Sequence, residues 1–376
     1  MQISIDSRTI QPGDYFIPIK GPNYDGHQFI NEVIKKGGKV LDVDIKKYAK
    51  KYRQKLSCQI IAVTGSAGKT TVKDMLYAIL SQKFKVAKTQ ENENNEIGVP
   101  LTILRADFTT EILIVEMAMR NTGEIAELAK IVRPTHAVVT NIGLSHIEFL
   151  KTPKKIAKAK SEIFRNPLAW ESGPRYAFLN MSSPYYSLLQ TKAGAKGYKV
   201  LASTGQNSFE QNINLCYQIG EHFGLTIDEI KQGLGSYVPS EHRLSTSKIR
   251  GITIIDDTYN ANPDGVRFAL EYLSRFKGRK ILVLSDMLEL GECSEEAHLN
   301  IKKHAIEANV SIIFTFGKRS SVIESSTEAL WAKNYSDKNS LNSDLIKELK
   351  SGDAVLIKGS RGLKMEETVA FLQEKL

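Results

Sequence analysis

The sequence predicts an α/β protein of three domains, and three observations support this. The chain has 376 residues, a length that suits two to three domains. Continuous apolar runs of strand length alternate with helical patterns along most of the chain, which is typical of parallel sheets covered on both faces. These runs form two series, and the stretch 180–205 between them has no clear periodicity that would allow an assignment.

The N-terminal segment, residues 1–57, mixes short strands with Gly/Pro turns and ends in a lysine-rich stretch. It predicts a small α+β domain. Residues 58–246 begin with a buried-strand run, 59–63, which leads into a glycine-rich turn and a helical pattern over 70–81. Further apolar runs follow at 111–115 and 137–140. We therefore expect a central domain built on a parallel sheet.

The C-terminal segment, residues 247–376, repeats the alternation of strands and helices. Its strand runs are 252–256, 280–284, 311–315 and 354–357, with helical patterns centred near Phe268, His298 and Leu345. This order predicts a second doubly wound, Rossmann-like α/β domain.

Composition and charge exclude several classes of protein. The charged fraction is 25% and the hydrophobic fraction 41%, which are ordinary values for a globular chain and not for a disordered one. No apolar run approaches the roughly 18 residues of a membrane span, and residues 1–8 lack an apolar signal core. The cysteines Cys58, Cys216 and Cys293 are too widely spaced for a zinc site or a disulfide framework. We therefore expect a cytoplasmic protein without a membrane span.

The net charge of +9 is concentrated in two lysine-rich stretches, 35–55 and 151–160. Neither is interleaved with aromatic residues, and no nucleic-acid-binding motif accompanies them, so we expect no nucleic-acid partner. Two interpretations remain open. The lysines form a solvated helix face, or they form a basic surface that attracts anionic, phosphate-bearing substrates.

The strongest motif is TGSAGKTT at 64–71, which follows a strand and opens a helix. Glycines at this point let backbone N–H groups approach phosphate oxygens, and the helix N-terminus adds a positive dipole. Lys69 can reach the β- and γ-phosphates, and the Thr70 hydroxyl can hold Mg²⁺. The usual first glycine is missing, because Val63 occupies its place. The motif predicts an ATP phosphate site at Gly65, Ser66, Ala67, Gly68, Lys69, Thr70 and Thr71.

This form of the motif resembles the Mur ligase family, and further segments continue the resemblance over nearly the whole chain. They are DSR (6–8), KGPNYDGH (20–27), NNEIGVPLT (94–102), EM (116–117), TNIG (140–143), HIE (146–148), IAKAKSEIF (156–164), DDTYNANP (256–263), DMLELG (286–291) and KGSRG (358–362). The resemblance implies an enzyme that activates a carboxylate with ATP as an acyl phosphate, which an amine then attacks to form an amide.

The C-terminal segments resemble the family members that add D-alanyl-D-alanine to a UDP-muramoyl tripeptide in peptidoglycan synthesis. The resemblance therefore implies these two substrates, ATP and Mg²⁺, and we expect a monomer. It also implies catalytic roles for Lys69, His146 and Lys160. Glu116 would hold Mg²⁺, as expected for a residue at the carboxyl end of a parallel strand, and His146 would ligate a second Mg²⁺.

By the same resemblance Lys160 is carried as a carbamate, an anion that helps to bind metal and forms only on a neutral amine. The residues alone favour a surface lysine among Lys154, Lys155 and Lys158. Asn207, Arg243 and Asn262 would lie beside the nucleotide, although Asn262 could equally be a helix cap before Pro263. The implied substrate contacts are Asp6, Ser7, Arg8, Asp25, His27, Ser360 and Arg361.

The sequence also departs from the family pattern. Only residues 181–204 separate Asn180 from the GQN segment at 205–207, so we expect the small antiparallel sheet of the central domain to be reduced. Gln206 replaces a histidine near the adenine, and Ser245 stands third in the family's R-L-E segment. The first domain is also short. These changes bear on substrate geometry more than on phosphate chemistry.

Two other functions are consistent with parts of the pattern. One is a Mur-like ligase that acts on another carboxylate, of a cofactor or folate type. The segments 6–8 and 24–27 argue against it, because a folate-type ligase lacks this UDP-binding first domain. The other is a catalytically silent binding protein, which the joint retention of Lys69, Thr70, Glu116, His146 and Lys160 argues against.

Overall fold

The structure is a computed structural model that describes residues 2–165, 173–327 and 330–376. The strands are β1 (Ile3–Ser4), β2 (Tyr15–Phe16), β3 (Lys20–Gly21), β4 (Tyr24–Asp25), β5 (Lys39–Val40), β6 (Gln59–Thr64), β7 (Val86–Lys88), β8 (Ile112–Glu116), β9 (His136–Val139), β10 (Arg175–Asn180), β11 (Tyr198–Ser203), β12 (Ser245–Ile249), β13 (Ile252–Asp257), β14 (Lys280–Ser285), β15 (Val310–Phe316), β16 (Ser325–Thr327), β17 (Leu330–Tyr335) and β18 (Ala354–Lys358).

The helices are α1 (Ile30–Lys35), α2 (Ile45–Arg53), α3 (Lys69–Leu80), α4 (Gly98–Arg105), α5 (Glu124–Val132), α6 (Ile147–Leu150), α7 (Pro153–Lys160), α8 (Tyr186–Gly194), α9 (Ser208–His222), α10 (Ile227–Gly235), α11 (Pro263–Leu273), α12 (Ser294–Glu307), α13 (Lys338–Glu348) and α14 (Glu366–Lys375). The predicted domain ranges also include residues 1, 166–172 and 328–329, which lie outside the described residues.

The N-terminal segment has a three-stranded parallel sheet in the order β1-β2-β5 and a separate hairpin of β3 and β4. Its small core contains Ile10, Phe16 and Val33. A core of this size stabilises a segment only weakly by itself, so its packing against the central domain matters.

Helix α2 provides that packing. Its N-cap is Asp44, and it buries Ile45, Ala49 and Arg53 against α4 and α5. The Arg53 guanidinium donates to the Val132 carbonyl at 3.0 Å, and the Tyr52 hydroxyl donates to the Ala106 carbonyl at 2.8 Å. The first lysine-rich stretch, 35–55, therefore contains a helix that is fixed to the central domain.

The central sheet has six parallel strands in the order β11-β10-β9-β6-β8-β7. Alternate residues of β6 and β8 pack on α3, α9 and α10 on one face and on α4 and α5 on the other. Burial on both faces explains why these strands are continuous apolar runs. The fold class is confirmed, and each of the predicted strands overlaps an observed one.

The stretch 180–205, which the sequence left unassigned, contains α8 and β11. Helix α8 carries the chain over the sheet, so β11 adds beside β10 in parallel. The described residues of the central domain contain no antiparallel strand pair, in agreement with the expected reduction of the small antiparallel sheet, and this part of the chain extends the parallel sheet instead.

The C-terminal sheet has seven strands in the order β12-β13-β18-β14-β15-β17-β16. The five central strands are parallel, whereas the edge strands β12 and β16 are antiparallel to their neighbours. Strand β12 turns into β13 through Arg250 and Gly251, both at positive φ, which is the conformation of a tight hairpin turn. The C-terminal sheet thus begins at Ser245, which lies inside the range 58–246 predicted for the central domain. The bounds of the three domains remain predictions.

The C-terminal domain contacts the central domain through the segments that follow the carboxyl ends of β9 and β11. The Leu144 N–H donates to Asp264 Oδ2 at 2.9 Å, and the Ser208 N–H donates to Glu271 Oε2 at 2.9 Å. Parallel sheets bind ligands at this edge, so both domains contribute to whatever binds there. Among the described residues, no helix has the length and apolar character that a membrane crossing requires.

Candidate active site

The loop between β6 and α3 has a backbone shape that requires glycine at two positions. Gly65 has φ +156° and Gly68 has φ +76°. A Cβ atom would strike the Thr140 hydroxyl at the first position, and would lie 2.7 Å from Asn212 Nδ2 at the second. The loop is thus held closely between two neighbouring segments, and the N-terminus of α3 begins directly after it.

Thr140 and Asn141, at the end of β9, hold this loop in place. The Thr140 hydroxyl donates to the Ala67 carbonyl at 2.6 Å. The Ala67 N–H donates to Asn141 Oδ1 at 2.8 Å, and the Ser66 N–H donates to the Asn141 carbonyl at 3.1 Å. Because these two N–H groups are already bonded, phosphate contact by Ser66 and Ala67 stays a prediction. The free end of α3, from Gly68 to Thr71, is the better-placed anion site.

Two lysines converge on one carbonyl group of the loop. Lys69 Nζ donates to the Gly65 carbonyl at 2.8 Å, and Lys160 Nζ donates to the same oxygen at 2.9 Å. Lys160 is the last residue of α7 and is fully buried, contrary to the surface position that the residues alone favoured. Lys160 and Gly65 are 95 positions apart in the sequence, so no local pattern could predict this contact.

This convergence disfavours a second positive charge. Burial lowers the pKa of the Lys160 amine well below its ordinary value, and the charge of Lys69 lowers it further, while Asp264 opposes the shift. Burial also lowers the pKa of Lys69, against the opposing charge of Glu116. Lys160 is therefore the lysine whose neutral form the site favours.

Thr70 and Glu116 form the oxygen-rich part of the site. Val63 and Glu116 are paired in adjacent strands, which places the carboxylate beside the phosphate loop. The Thr70 hydroxyl donates to Glu116 Oε2 at 2.8 Å, and Asn94 Nδ2 donates to Oε1 at 2.8 Å. Lys73 Nζ, also buried, lies 3.8 Å from Oε2.

A hydroxyl and a carboxylate are hard oxygen donors of the kind that Mg²⁺ prefers. In the described part of the chain, no group of three or more His, Cys, Asp or Glu side chains forms a metal cluster. This donor set fits Mg²⁺, which is usually held by one or two protein side chains together with phosphate oxygens and water.

His146 reaches the C-terminal domain. It has a left-handed backbone, φ +63°, and its Nδ1 lies 2.7 Å from Glu289 Oε2. The hydrogen bond to His146 lowers the pKa of Glu289. A carboxylate on Nδ1 orients the imidazole and leaves Nε2 as the nitrogen available to a metal. Glu289 belongs to the DMLELG segment, and the sequence predicts no individual role for it.

The predicted nucleotide residues of the later chain hold local structure. Asn207 Oδ1 accepts from the Glu210 N–H at 3.0 Å and caps α9, and Asn262 Oδ1 accepts from the Gly265 N–H at 2.8 Å and caps α11. The helix-cap alternative for Asn262 is thus what the structure shows, and nucleotide contact would fall to its amide nitrogen. The Arg243 guanidinium stacks 3.9 Å over the Tyr259 ring.

The predicted substrate residues fall into two groups. In the first domain Arg8 pairs with Asp6 at 2.6 Å, and His27 Nδ1 lies 2.6 Å from Asp25. Hydrogen bonds from His27 lower the pKa of Asp25 to about 2. Ser7 is buried, and its carbonyl accepts from Lys36 Nζ at 3.0 Å. In the first domain these residues thus form two local charged pairs, Arg8 with Asp6 and His27 with Asp25.

The second group consists of Ser360 and Arg361 in the C-terminal domain. The Ser360 side chain is buried. Its hydroxyl donates to the Asp286 carbonyl at 2.7 Å and accepts from the Leu288 N–H at 3.1 Å. It joins two loops, and its contact with a substrate carboxylate stays a prediction. Arg361 is exposed and lies 3.3 Å from Glu366.

A cleft of about 1010 Å³ lies beside His146. His146 and Tyr259 line it, as do Asn94 and the loop that precedes α5. Its lining also includes Lys46, Lys47 and Lys50 of α2. Of the two interpretations of the lysine-rich stretch, a basic surface facing a ligand site is therefore the better supported for these three. Their position outside the buried stripe that Ile45 and Ala49 form on the helix was the signal available in the sequence.

Comparison with known proteins identifies the family. Three family models match: "Mur ligase family, catalytic domain" over residues 1–92, "Mur ligase middle domain" over 63–238 and "Mur ligase, glutamate ligase domain" over 242–361. The UDP-N-acetylmuramoyl-tripeptide–D-alanyl-D-alanine ligase of Bacillus subtilis is 32% identical, and the match covers 99% of this chain and 93% of that protein.

Two solved structures are similar over the whole of this chain. One is the MurF ligase of Thermotoga maritima in complex with ADP, with a TM-score of 0.84, 27% identity and 97% of that chain covered. The other is the UDP-N-acetylmuramoylalanyl-D-glutamyl-2,6-diaminopimelate–D-alanyl-D-alanyl ligase of Acinetobacter baumannii, with a TM-score of 0.82, 26% identity and 93% of that chain covered. The chain belongs to the Mur ligase family.

Proposed function

We propose that this chain is the ligase that joins D-alanyl-D-alanine to a UDP-N-acetylmuramoyl tripeptide in peptidoglycan synthesis, with conversion of ATP to ADP and phosphate. One observation carries the proposal. The phosphate loop, Lys69, Lys160 and the Thr70–Glu116 pair form one site, within a chain that matches the Bacillus subtilis ligase over nearly its full length. We infer a cytoplasmic location from the nucleotide-linked substrates and the free thiols of Cys216 and Cys293, and the monomer stays a prediction.

The chain's part in phosphoryl transfer is to hold the triphosphate and offset its charge. The N-terminus of α3 offers backbone N–H groups, and Lys69 supplies a cation beside them. Thr70 and Glu116 would hold one Mg²⁺, and His146, oriented by Glu289, would ligate a second Mg²⁺. When bound, Mg²⁺ neutralises charge on the phosphate oxygens. Electrostatic stabilisation of this kind supplies most of the rate in such reactions.

The reaction takes two steps. A carboxylate oxygen of the tripeptide attacks the γ-phosphorus, and the bond from that phosphorus to the ADP oxygen breaks. The amine of D-alanyl-D-alanine then attacks the acyl carbon, a C–N bond forms, phosphate leaves and the amine loses a proton. Water must be kept from the acyl phosphate, and contact between the central and C-terminal domains at Leu144 and Asp264 covers this edge.

Lys160 enters this proposal as a carbamate. Its neutral amine nitrogen bonds to the carbon of CO₂, and one proton leaves to solvent, so that the side chain becomes an anion. Burial and the nearby Lys69 charge favour the neutral amine that this addition needs. The resulting carboxylate would be an oxygen ligand close to the phosphate loop.

The first domain is proposed to bind the UDP-sugar part through Asp6, Ser7, Arg8, Asp25 and His27. Arg361 stays a proposed contact for a peptide carboxylate, because its guanidinium is exposed. Asn207, Arg243 and Asn262 are proposed to approach the nucleotide. For Arg243 the support is its charge, which lies close enough to Lys69 to lower the pKa of that amine.

The test is phosphate release from ATP with a panel of carboxylates and amines. We expect release only when UDP-muramoyl tripeptide and D-alanyl-D-alanine are both present. Release with a folate-type carboxylate and glutamate would favour the alternative ligase. Absence of release with every pair, from a folded protein that binds ATP, would favour the catalytically silent protein.

A further inference from the structure

We propose that Lys47 and Lys50 of α2 bind a carboxylate of the muramoyl peptide other than the one that reacts. This inference rests on the proposed function and names the feature of the peptide that the cleft selects. It concerns side chains for which the mechanism above has no use.

Most charges around the cleft are already compensated within the protein. Lys46 pairs with Glu96, and Lys130 pairs with Glu127. The Glu124 carboxylate accepts from the Arg120 N–H at 2.7 Å and from Asn121 Nδ2 at 3.0 Å, so it serves its own loop.

Lys47 and Lys50 are the exception. Lys47 Nζ is 3.9 Å from Asp44, whose carboxylate already accepts the Lys47 N–H as the cap of α2. Lys50 forms no ion pair within the described parts of the chain, and it is exposed. The two residues are three positions apart on one helix, a spacing that puts their side chains on the same face. Lys47 and Lys50 have only the weak Lys47–Asp44 ion pair between them, so together they can bind one carboxylate of a ligand.

The helix that carries them is fixed. Arg53 and Tyr52, in its last turn, bond to the central domain, so α2 keeps its position relative to His146 at the other part of the cleft. A charged group held at a set distance from the reacting carboxylate selects among peptides, because only some of them carry a carboxylate at that distance.

The chemistry of the peptide supplies two candidate carboxylates. The name of the Acinetobacter baumannii ligase gives a peptide with a D-glutamyl residue and a 2,6-diaminopimelate residue, each of which carries a carboxylate that ligation at the chain end does not consume. The diphosphate of the same substrate is the other anion that two lysines could bind, and the experiment separates it.

The experiment measures steady-state kinetics of the Lys47→Gln/Lys50→Gln double variant, which removes both charges and keeps the side-chain length. We expect the KM for UDP-muramoyl tripeptide to rise about tenfold, with kcat and the KM for ATP unchanged. The matched control is Lys51→Gln/Lys55→Gln, two exposed lysines of the same stretch that do not line the cleft. The control should keep the wild-type KM.

Substrate variants identify the bound group. If the third-residue carboxylate is bound, a tripeptide ending in lysine should show the same KM with wild type and double variant. If the D-glutamyl carboxylate is bound, an amidated D-glutamyl residue should abolish the difference instead. An unchanged KM in the double variant, an equal rise in the control, or a difference that persists with both altered peptides would overturn the proposal.

Binding of UDP-N-acetylmuramate without a peptide distinguishes the diphosphate. Its dissociation constant should be the same for wild type and double variant, and a rise would assign the lysines to the diphosphate and overturn the peptide site. Failure of the wild-type enzyme to use any UDP-muramoyl peptide would instead refute the proposed function on which this inference rests.

Discussion

Replacement of Gly68 by alanine tests whether the loop backbone, and not only Lys69, makes the phosphate site. At φ +76° an alanine costs roughly 1–2 kcal/mol, offset by about 0.4–1 kcal/mol from a stiffer unfolded chain. The new Cβ would also lie 2.7 Å from Nδ2 of the buried Asn212, which must move. We therefore expect Gly68→Ala to lower the free energy of unfolding by about 2 kcal/mol, in line with small overpacking changes.

Gly68→Ala should weaken ATP binding more than the change in its free energy of unfolding suggests. A displaced backbone N–H that loses its bond to a charged phosphate costs about 1.5–3 kcal/mol, and roughly 1.4 kcal/mol corresponds to a tenfold change in affinity. The Kd for ATP, measured by titration calorimetry, should thus rise about 10- to 100-fold in Gly68→Ala. Unfolding in urea gives the stability of the same sample.

Gly197 is the matched control. It has the same φ, +76°, and a Cβ there would meet nothing within 4 Å. Gly197→Ala should lose about 1 kcal/mol of stability or less, from strain alone, and keep the wild-type Kd for ATP. Equal ATP affinities for the two variants would refute the assignment of the phosphate site to this loop.

Substitutions at three further residues each test a single side chain. Lys69→Ala should lower kcat by at least ~10²-fold with an unchanged melting temperature, and normal turnover would remove Lys69 from the mechanism. Arg8→Ala should raise the KM for UDP-muramoyl tripeptide far more than that for ATP, since an alanine cannot replace a bidentate guanidinium; a rise in the ATP KM alone would contradict the role of the first domain. Lys160→Ala should lose most activity and regain part of it with acetate or formate, and Lys160→Arg should be nearly inactive. An active Lys160→Arg enzyme would contradict the carbamate.

The central strands and the phosphate loop could be predicted from the sequence because their signals are local. Burial on both faces makes β6 and β8 continuous apolar runs, and a tight turn between strand and helix needs glycine at Gly65 and Gly68. Strand β7 has only three residues, all half-buried, so its pattern is too short to stand out. Strand β11 lies at a sheet edge and mixes buried and half-buried residues, which removes the apolar run.

The parts of the site that sequence reasoning missed depend on contacts between distant segments. His146 and Glu289 are 143 residues apart, and Lys160 and Gly65 are 95 apart, so no spacing rule could pair them. The resemblance implied a substrate contact for Ser360 and gave no hint of its hydrogen bonds to two loop backbone groups, which only the folded chain brings near.

Transfer of isotope from the tripeptide to phosphate tests the central claim most directly. The claim is that ATP activates the peptide carboxylate as an acyl phosphate at the loop that holds Lys69 and Lys160. A UDP-muramoyl tripeptide labelled with ¹⁸O in its reacting carboxylate is incubated with ATP and D-alanyl-D-alanine, and the released phosphate is analysed by mass spectrometry. The account predicts one ¹⁸O atom in each phosphate released, because the carboxylate oxygen that attacks phosphorus leaves with it. Unlabelled phosphate, formed together with ligated product, would contradict it.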